Sequence, residues 1–161
     1  MMYGTRETHE YFQCGSCGCL QISTIPSNLE KYYPQGYFSF KDHSRLAASR
    51  LRGWLERCRV NYHFEACSGF ARLAARLSKP LPYMSWIKHA RVSRNDPILD
   101  VGCGSGKLLV RMGLGGFADC TGIDPFIQRD IVYSTRVRIL KTDIERFVSQ
   151  RPAQYGLIMF H

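Results

Sequence analysis

A chain of 161 residues with 45% apolar side chains has material for one substantial core and a small appendage, which excludes a large multidomain assembly. The net charge is +9 from 22 Lys and Arg against 13 Asp and Glu, and the excess is local: residues 1–40 carry −1, residues 41–80 carry +6 and residues 81–161 carry +4. No run of about 18 apolar residues occurs and the N-terminus lacks a basic-then-apolar order, so neither membrane insertion nor secretion is expected and a cytoplasmic location follows.

The first piece, residues 1–40, is rich in aromatics (Tyr11, Phe12, Tyr32, Tyr33, Tyr37, Phe38 and Phe40) set among glycines and prolines, a pattern of short strands and turns. Within it, Cys14-Gly-Ser-Cys17-Gly-Cys19 contains a C-x-x-C turn of the kind that points two thiolates at one zinc ion. A structural zinc takes four ligands, and only Cys19, His9 and His43 stand nearby in sequence. Cys14 and Cys17 are therefore candidate zinc ligands in an incomplete site, with a metal-free turn as the alternative. The total of seven cysteines is odd, and Cys103 and Cys120 fall at or inside predicted core strands, which suits free thiols rather than a disulfide framework.

The second piece, residues 41–82, reads as helical. Leu51, Trp54, Leu55, Cys58 and Tyr62 gather on one face at 100° per residue, and arginines 45, 52 and 59 border one side of that stripe with 50 and 57 on the other. A second helical segment, Phe70 to Leu77, ends before Pro80 and Pro82. Arginines beside an apolar stripe suit a solvated helix packed on a larger domain, or contact with an anionic surface or lipid-linked substrate. Nucleic acid is disfavoured as a partner because no DNA- or RNA-binding motif accompanies the charge.

In the third piece, residues 83–161, short helices alternate with strands, the pattern of a parallel sheet with crossover helices. Trp86–Arg91 is expected as a helix, Ile98–Val101 as the first strand, Lys107–Met112 as a helix stopped by Gly115-Gly116, Cys120–Asp124 as the second strand, Val137–Leu140 as the third, and Tyr155–Phe160 as the fourth. In such a sheet ligands sit beyond the carboxyl ends of the strands, so Gly102 to Gly106, Asp124, Asp143 and His161 are expected on one rim.

The stretch ILDVGCGSGK tests three ligand classes. A phosphate-cradling P-loop needs Gly where Val101 stands and Ser or Thr where Leu108 stands. A dinucleotide fingerprint needs glycine at position 107, which is Lys, so an NAD-linked oxidoreductase is disfavoured but stays an alternative. An adenosine ligand without pyrophosphate, such as S-adenosylmethionine, fits the alternating glycines and the carboxylate at Asp124.

Asp100-x-Gly102-x-Gly104-x-Gly106, then Gly122-Ile-Asp124-Pro125, Asp143 and Tyr155-x-Leu-Ile-Met-Phe-His161 resemble the successive motifs of class I S-adenosylmethionine-dependent methyltransferases. The cysteine turn and the aromatic YYPQGYFSF look like the zinc-ribbon-like leader ahead of some of them. The resemblance implies an α/β fold with a Rossmann-like sheet in the strand order 3-2-1-4, and S-adenosylmethionine as cofactor. It also implies that Asp100, Gly102, Cys103, Gly104, Gly106, Asp124, Pro125, Asp143 and Ile144 are cofactor-binding residues, with Asp124 accepting from the ribose hydroxyls and Asp143 from the adenine amino group. Asp143 also reads as the N-cap of the helix starting at Ile144, and Cys103 as a packing residue.

The family sheet has seven strands and this sequence supplies four, so a fragment of a longer methyltransferase is expected, truncated at both ends. Its fourth strand would be an exposed apolar edge open to self-association. The acceptor would be a small molecule or sugar-like compound, and His161 is the weak candidate for a catalytic residue. A noncatalytic module that binds nucleic acid or a partner through the basic helix and cysteine turn is the alternative from another class.

Overall fold

The computed structural model describes residues 7–34, 36–64, 69–78, 81–150 and 154–160, so that Pro80 and His161 lie outside the described residues. The chain divides into two compact units, Met1–Phe38 and Ser39–His161.

In the first unit, strands β1 (Tyr11–Gln13) and β2 (Leu20–Ile22) form an antiparallel hairpin with Tyr11 opposite Ile22 and Gln13 opposite Leu20. Cys14 to Cys19 make the connection: the Cys14 amide donates to Cys19 O at 2.8 Å and Gly18, at a φ of 72°, donates to Cys14 O at 2.9 Å. The left-handed backbone at Gly18 lets so short a link close. Lys31 and Tyr32 both donate to the Glu7 carboxylate, and Tyr37 stacks with Tyr33 and Phe38 at centroid distances of 5.3 and 4.6 Å. The expected strands and turns are there.

The second unit is a mixed α/β body. Its helices are α1 (Ser44–Ala47), α2 (Arg50–His63), α3 (Gly69–Arg76), α4 (Tyr83–His89), α5 (Lys107–Gly115) and α6 (Ile144–Gln150). Its five strands are β3 (Ile98–Val101), β4 (Cys120–Ile123), β5 (Ile131–Ser134), β6 (Val137–Leu140) and β7 (Leu157–Phe160), ordered β5-β6-β4-β3-β7. The four strands expected from the sequence are β3, β4, β6 and β7; they run parallel, with β3 between β4 and β7 and β6 on the far side of β4. Strand β5 was not expected. It pairs antiparallel with β6 through a register shift between Val132 and Ser134, and Ile131 and Tyr133 are half-buried while Val132 and Ser134 are exposed, the two-residue alternation of a half-covered edge strand.

Alternation also sorts the core. Ile98 of β3 packs with Val60, Met84, Ile87, Leu109 and Met112 on the face covered by α2, α4 and α5. Its neighbour Leu99 packs with Ile123 and Phe147 on the face covered by α6. Successive side chains of a strand point to opposite faces, so a sheet with helices on both faces buries nearly every residue of its central strand. Strand β7 is the far edge of the sheet, with Ile158 and Phe160 exposed, and such an edge is a template for pairing with a second chain.

The apolar stripe of α2 is only partly covered: Cys58 is buried and Leu55 half-buried. Leu51, Trp54 and Tyr62 are exposed, and the buried residues are Glu56, Cys58 and Val60. The helix meets α5 through small groups: a Cβ at Gly53 would stand 3.3 Å from Leu114 Cδ2, and one at Gly115 would stand 2.7 Å from Val60 Cγ2. Glu56 is buried because its Oε1 accepts from Arg111 Nε at 2.8 Å and from Arg59 Nη1 at 3.5 Å. Close backbone approach plus one ion cluster decides the buried face, in place of the largest apolar stripe. The remaining helices differ only at their ends, as α3 begins at Gly69 and α4 covers Tyr83–His89 in place of Trp86–Arg91.

The Gly115 contact is testable. Alanine there gains up to about 1 kcal/mol of helix propensity and loses about 1–3 kcal/mol to overpacking. Overpacking wins because Val60 is β-branched and fully buried, with no room to turn aside. Gly115→Ala is expected to lower the urea midpoint at unchanged m, and Gly53→Ala, facing the mobile end of Leu114, to raise it.

Candidate functional site

Between β3 and α5 the chain turns through Gly102, Gly104 and Gly106, at φ values of 77°, 56° and 79°. An L side chain at each such position costs about 1–2 kcal/mol, so alternating glycines permit a bend that other residues resist. The bend is tied to the tip of β4. Gly102 N and Cys103 N donate to Ile123 O at 2.9 and 3.3 Å, and Gly104 N donates to Asp124 Oδ2 at 2.8 Å. Asp124 Oδ1 accepts from Phe126 N at 2.8 Å. The glycine bend and the carboxylate at the next strand's end thus share one rim.

Asp100 is buried at the centre of β3, 1% exposed. Burial first, then the charges of Asp100 and Asp124, push the Cys103 thiol far above the ordinary thiol range, so both carboxylates act on one sulfur. Cys103 Sγ fills the space over Gly122, where a Cβ would come within 2.5 Å of it. It is a packing group and not a nucleophile.

Two of the glycines are required by the chain itself. A Cβ at Gly104 would stand 2.6 Å from Ser39 O, and one at Gly106 2.3 Å from Ile139 Cδ1. Gly102 is exposed. Residues 39–41 form a strap on the bend: Ser105 N donates to Ser39 O at 2.8 Å, and Ser105 Oγ lies 2.7 Å from Ser39 O and 2.6 Å from Lys41 O, its one proton shared by two carbonyls. On the other side Tyr133 OH donates to Ser105 O at 2.9 Å and receives His43 N at 3.4 Å.

The strap, Tyr133 and His43 were missed as neighbours of the bend. For Tyr133 a signal existed in the alternating Ile-Val-Tyr-Ser ahead of a turn and a second strand; for the strap none did, because its contacts join residues about sixty positions apart through main-chain carbonyls. Burial, then Lys107, holds the His43 ring below the usual histidine range despite Asp42.

Asp143 is exposed and its Oδ1 accepts from Arg146 N at 2.8 Å, the N-cap bond of α6. Pro125 and Ile144, one residue beyond each of the two aspartates, are exposed as well.

Within the first unit, Cys14 has the makings of a metal ligand. Amide donation from Cys17 and Ser16, then the Cys17 side chain, lowers its pKa, which favours the thiolate. Zinc does not fit the donor set present, however: Cys19 Sγ is turned to Leu20 O, His9 Nε2 lies 3.2 Å from Tyr32 OH, and no three metal-ligating side chains gather among the described residues. Two of four ligands do not hold a structural zinc.

Two outcomes follow from these contacts. Near neutral pH, iodoacetamide is expected to alkylate Cys14 well before Cys103 or Cys120, the last pushed up to about 12 by burial and by Asp119, as mass spectrometry of the intact thiols would read. Gly104→Ala is expected to cost roughly 1–2 kcal/mol in backbone strain alone and to lift the strap. Faster hydrogen exchange at the Ser105 amide would register the lift.

No family model matches the chain, and no curated protein or solved structure matches it. Among the described residues no helix is long and apolar enough to cross a membrane.

Proposed function

We propose that the rim formed by residues 102–106 and Asp124 binds S-adenosylmethionine, and that the chain serves methyl transfer to a small-molecule or sugar-like acceptor as class I S-adenosylmethionine-dependent methyltransferases do. The observation that carries this reading is the 2.8 Å bond from Gly104 N to the Asp124 carboxylate, which sets an acidic acceptor directly against side-chain-free backbone. Each Asp124 oxygen accepts one amide and retains a lone pair for a ribose hydroxyl. Gly102, exposed and without a side chain, lets the methionine moiety approach the main chain.

The cofactor supplies a methyl group activated by a sulfonium centre. The chain's own part is orientation and proton handling. Asp124 would fix the ribose, and Asp143, with one oxygen engaged at the start of α6, would offer the other to the adenine amino group. The strap fixes the bend's geometry through Ser105 before any ligand arrives. The NAD reading is weaker because the position where a pyrophosphate site needs glycine is Lys107, the first residue of α5.

Calorimetric titration with S-adenosylhomocysteine tests the assignment. The native chain is expected to bind and to gain thermal stability from the ligand; Asp124→Asn, with unchanged circular dichroism, is expected to bind at least about tenfold more weakly. Absent binding, or equal affinity in the two proteins, would sink it.

A further inference from the structure

The first unit holds a pair of thiols that methyl transfer leaves unused. Cys14, Cys17 and Cys19 fall within six residues of sequence, and the backbone gathers them into one turn. Gly18 N donates to Cys14 O at 2.9 Å, a single helical turn that is not continued, and Cys14 N closes the loop on Cys19 O at 2.8 Å. Residues three apart on such a turn are neighbours. Cys14 and Cys17 accordingly meet: the Cys14 sulfur accepts from the Cys17 side chain and from the Ser16 and Cys17 amides. Cys19 stands apart, its Sγ turned to Leu20 O. Reagents can reach the pair, since Cys17 is exposed and Cys14 half-buried, and a Cβ on Gly15, between them, would meet no atom of the described residues within 4 Å. Two thiols in hydrogen-bond contact, short of the four ligands a structural zinc takes, retain a chemistry of their own. An accessible sulfur held by amide donors, beside a second that can displace whatever the first has bound, is an arrangement for disulfide exchange.

We propose that Cys14 and Cys17 form a reversible dithiol–disulfide site that takes low-molecular-weight disulfides as its oxidant, with Cys14 the attacking residue and Cys17 the resolving one. The Cys14 thiolate attacks one sulfur of the oxidant, the S–S bond there breaks, and one small thiol leaves. The Cys17 thiolate then attacks Cys14 Sγ, which breaks the mixed disulfide, forms the Cys14–Cys17 bond and releases the second small thiol. Two protein thiols give up two electrons and two protons, and the oxidant is reduced to two thiols. Cys58 and Cys120 are buried and do not compete. The site lies wholly within the first unit and does not depend on the adenosyl reading.

Anaerobic incubation of the full chain with oxidised glutathione, quenching with N-ethylmaleimide and tandem mass spectrometry of the peptides test the assignment. The native chain is expected to gain an internal Cys14–Cys17 bond that dithiothreitol reverses, a readout that needs no variant to fold. In Cys17→Ser the reaction is expected to stop with glutathione attached to Cys14. In Cys14→Ser the Cys17 thiol is expected to react at least about tenfold more slowly than Cys14 does in Cys17→Ser. Cys19→Ser is expected to leave both the bond and its rate of formation unchanged. The proposal is overturned if both thiols stay reduced, if the bond joins Cys19 to either of them, if Cys17→Ser yields no mixed disulfide, if Cys14→Ser and Cys17→Ser react alike, or if the purified chain carries a zinc ion that blocks the oxidation.

Discussion

A short bend with glycine at alternate positions, residues 102 to 106, is the constraint on which the second unit depends. The left-handed conformations at three alternate glycines turn the chain from a central strand into a helix within five residues. Because nothing projects from Gly104 or Gly106, other parts of the chain can come to main-chain distance: the Ser39 carbonyl at one and the Ile139 side chain at the other. The same bend presents the Gly104 amide to Asp124. The strap (residues 39–41), β6, β4 and α5 therefore meet at one turn, and the approaches of Ser39 and Ile139 rely on a missing Cβ.

The helical layer follows a related logic with different chemistry. Helix α2 meets α5 where glycine faces leucine and valine faces glycine, contacts that leave little or no room for an added Cβ. Glu56 then sits where a larger apolar residue would be expected, held by Arg111 and Arg59. Burying a carboxylate is tolerated only because both arginines reach it. The Tyr83 hydroxyl, buried near the same carboxylate, has its proton held more tightly by burial and then by the Glu56 charge. Leu51, Trp54 and Tyr62 of α2 stay in solvent.

The functional reading rests on convergence at a rim. Asp100, Asp124 and the glycine bend come together around the Cys103 sulfur, which is where parallel sheets present ligand sites. Much of what makes the bend glycine-rich is internal packing, so the glycines alone argue less for a ligand than their spacing suggests. The carboxylate at the tip of β4 carries more weight: it faces the bend, and its oxygens keep acceptor capacity after satisfying two amides.

Local patterning in the sequence determined where the parallel strands lie, because short stretches such as Ile98–Val101 and Val137–Leu140 are mostly apolar and glycines follow the first of them, whereas their order was implied by the family resemblance and not by periodicity. The cysteine turn and the presence of short strands near it were legible as local backbone demands written in Gly and Cys spacing, while the pairing of β1 with β2 into a hairpin came from the structure. Only the tertiary structure decided which face of α2 is buried, that β5 completes the sheet, and that residues 39–41 rest on Gly104. Those outcomes depend on main-chain atoms and small side chains meeting across long sequence separations. A carbonyl oxygen is the same at every position, so no pattern of side chains announces where it will dock.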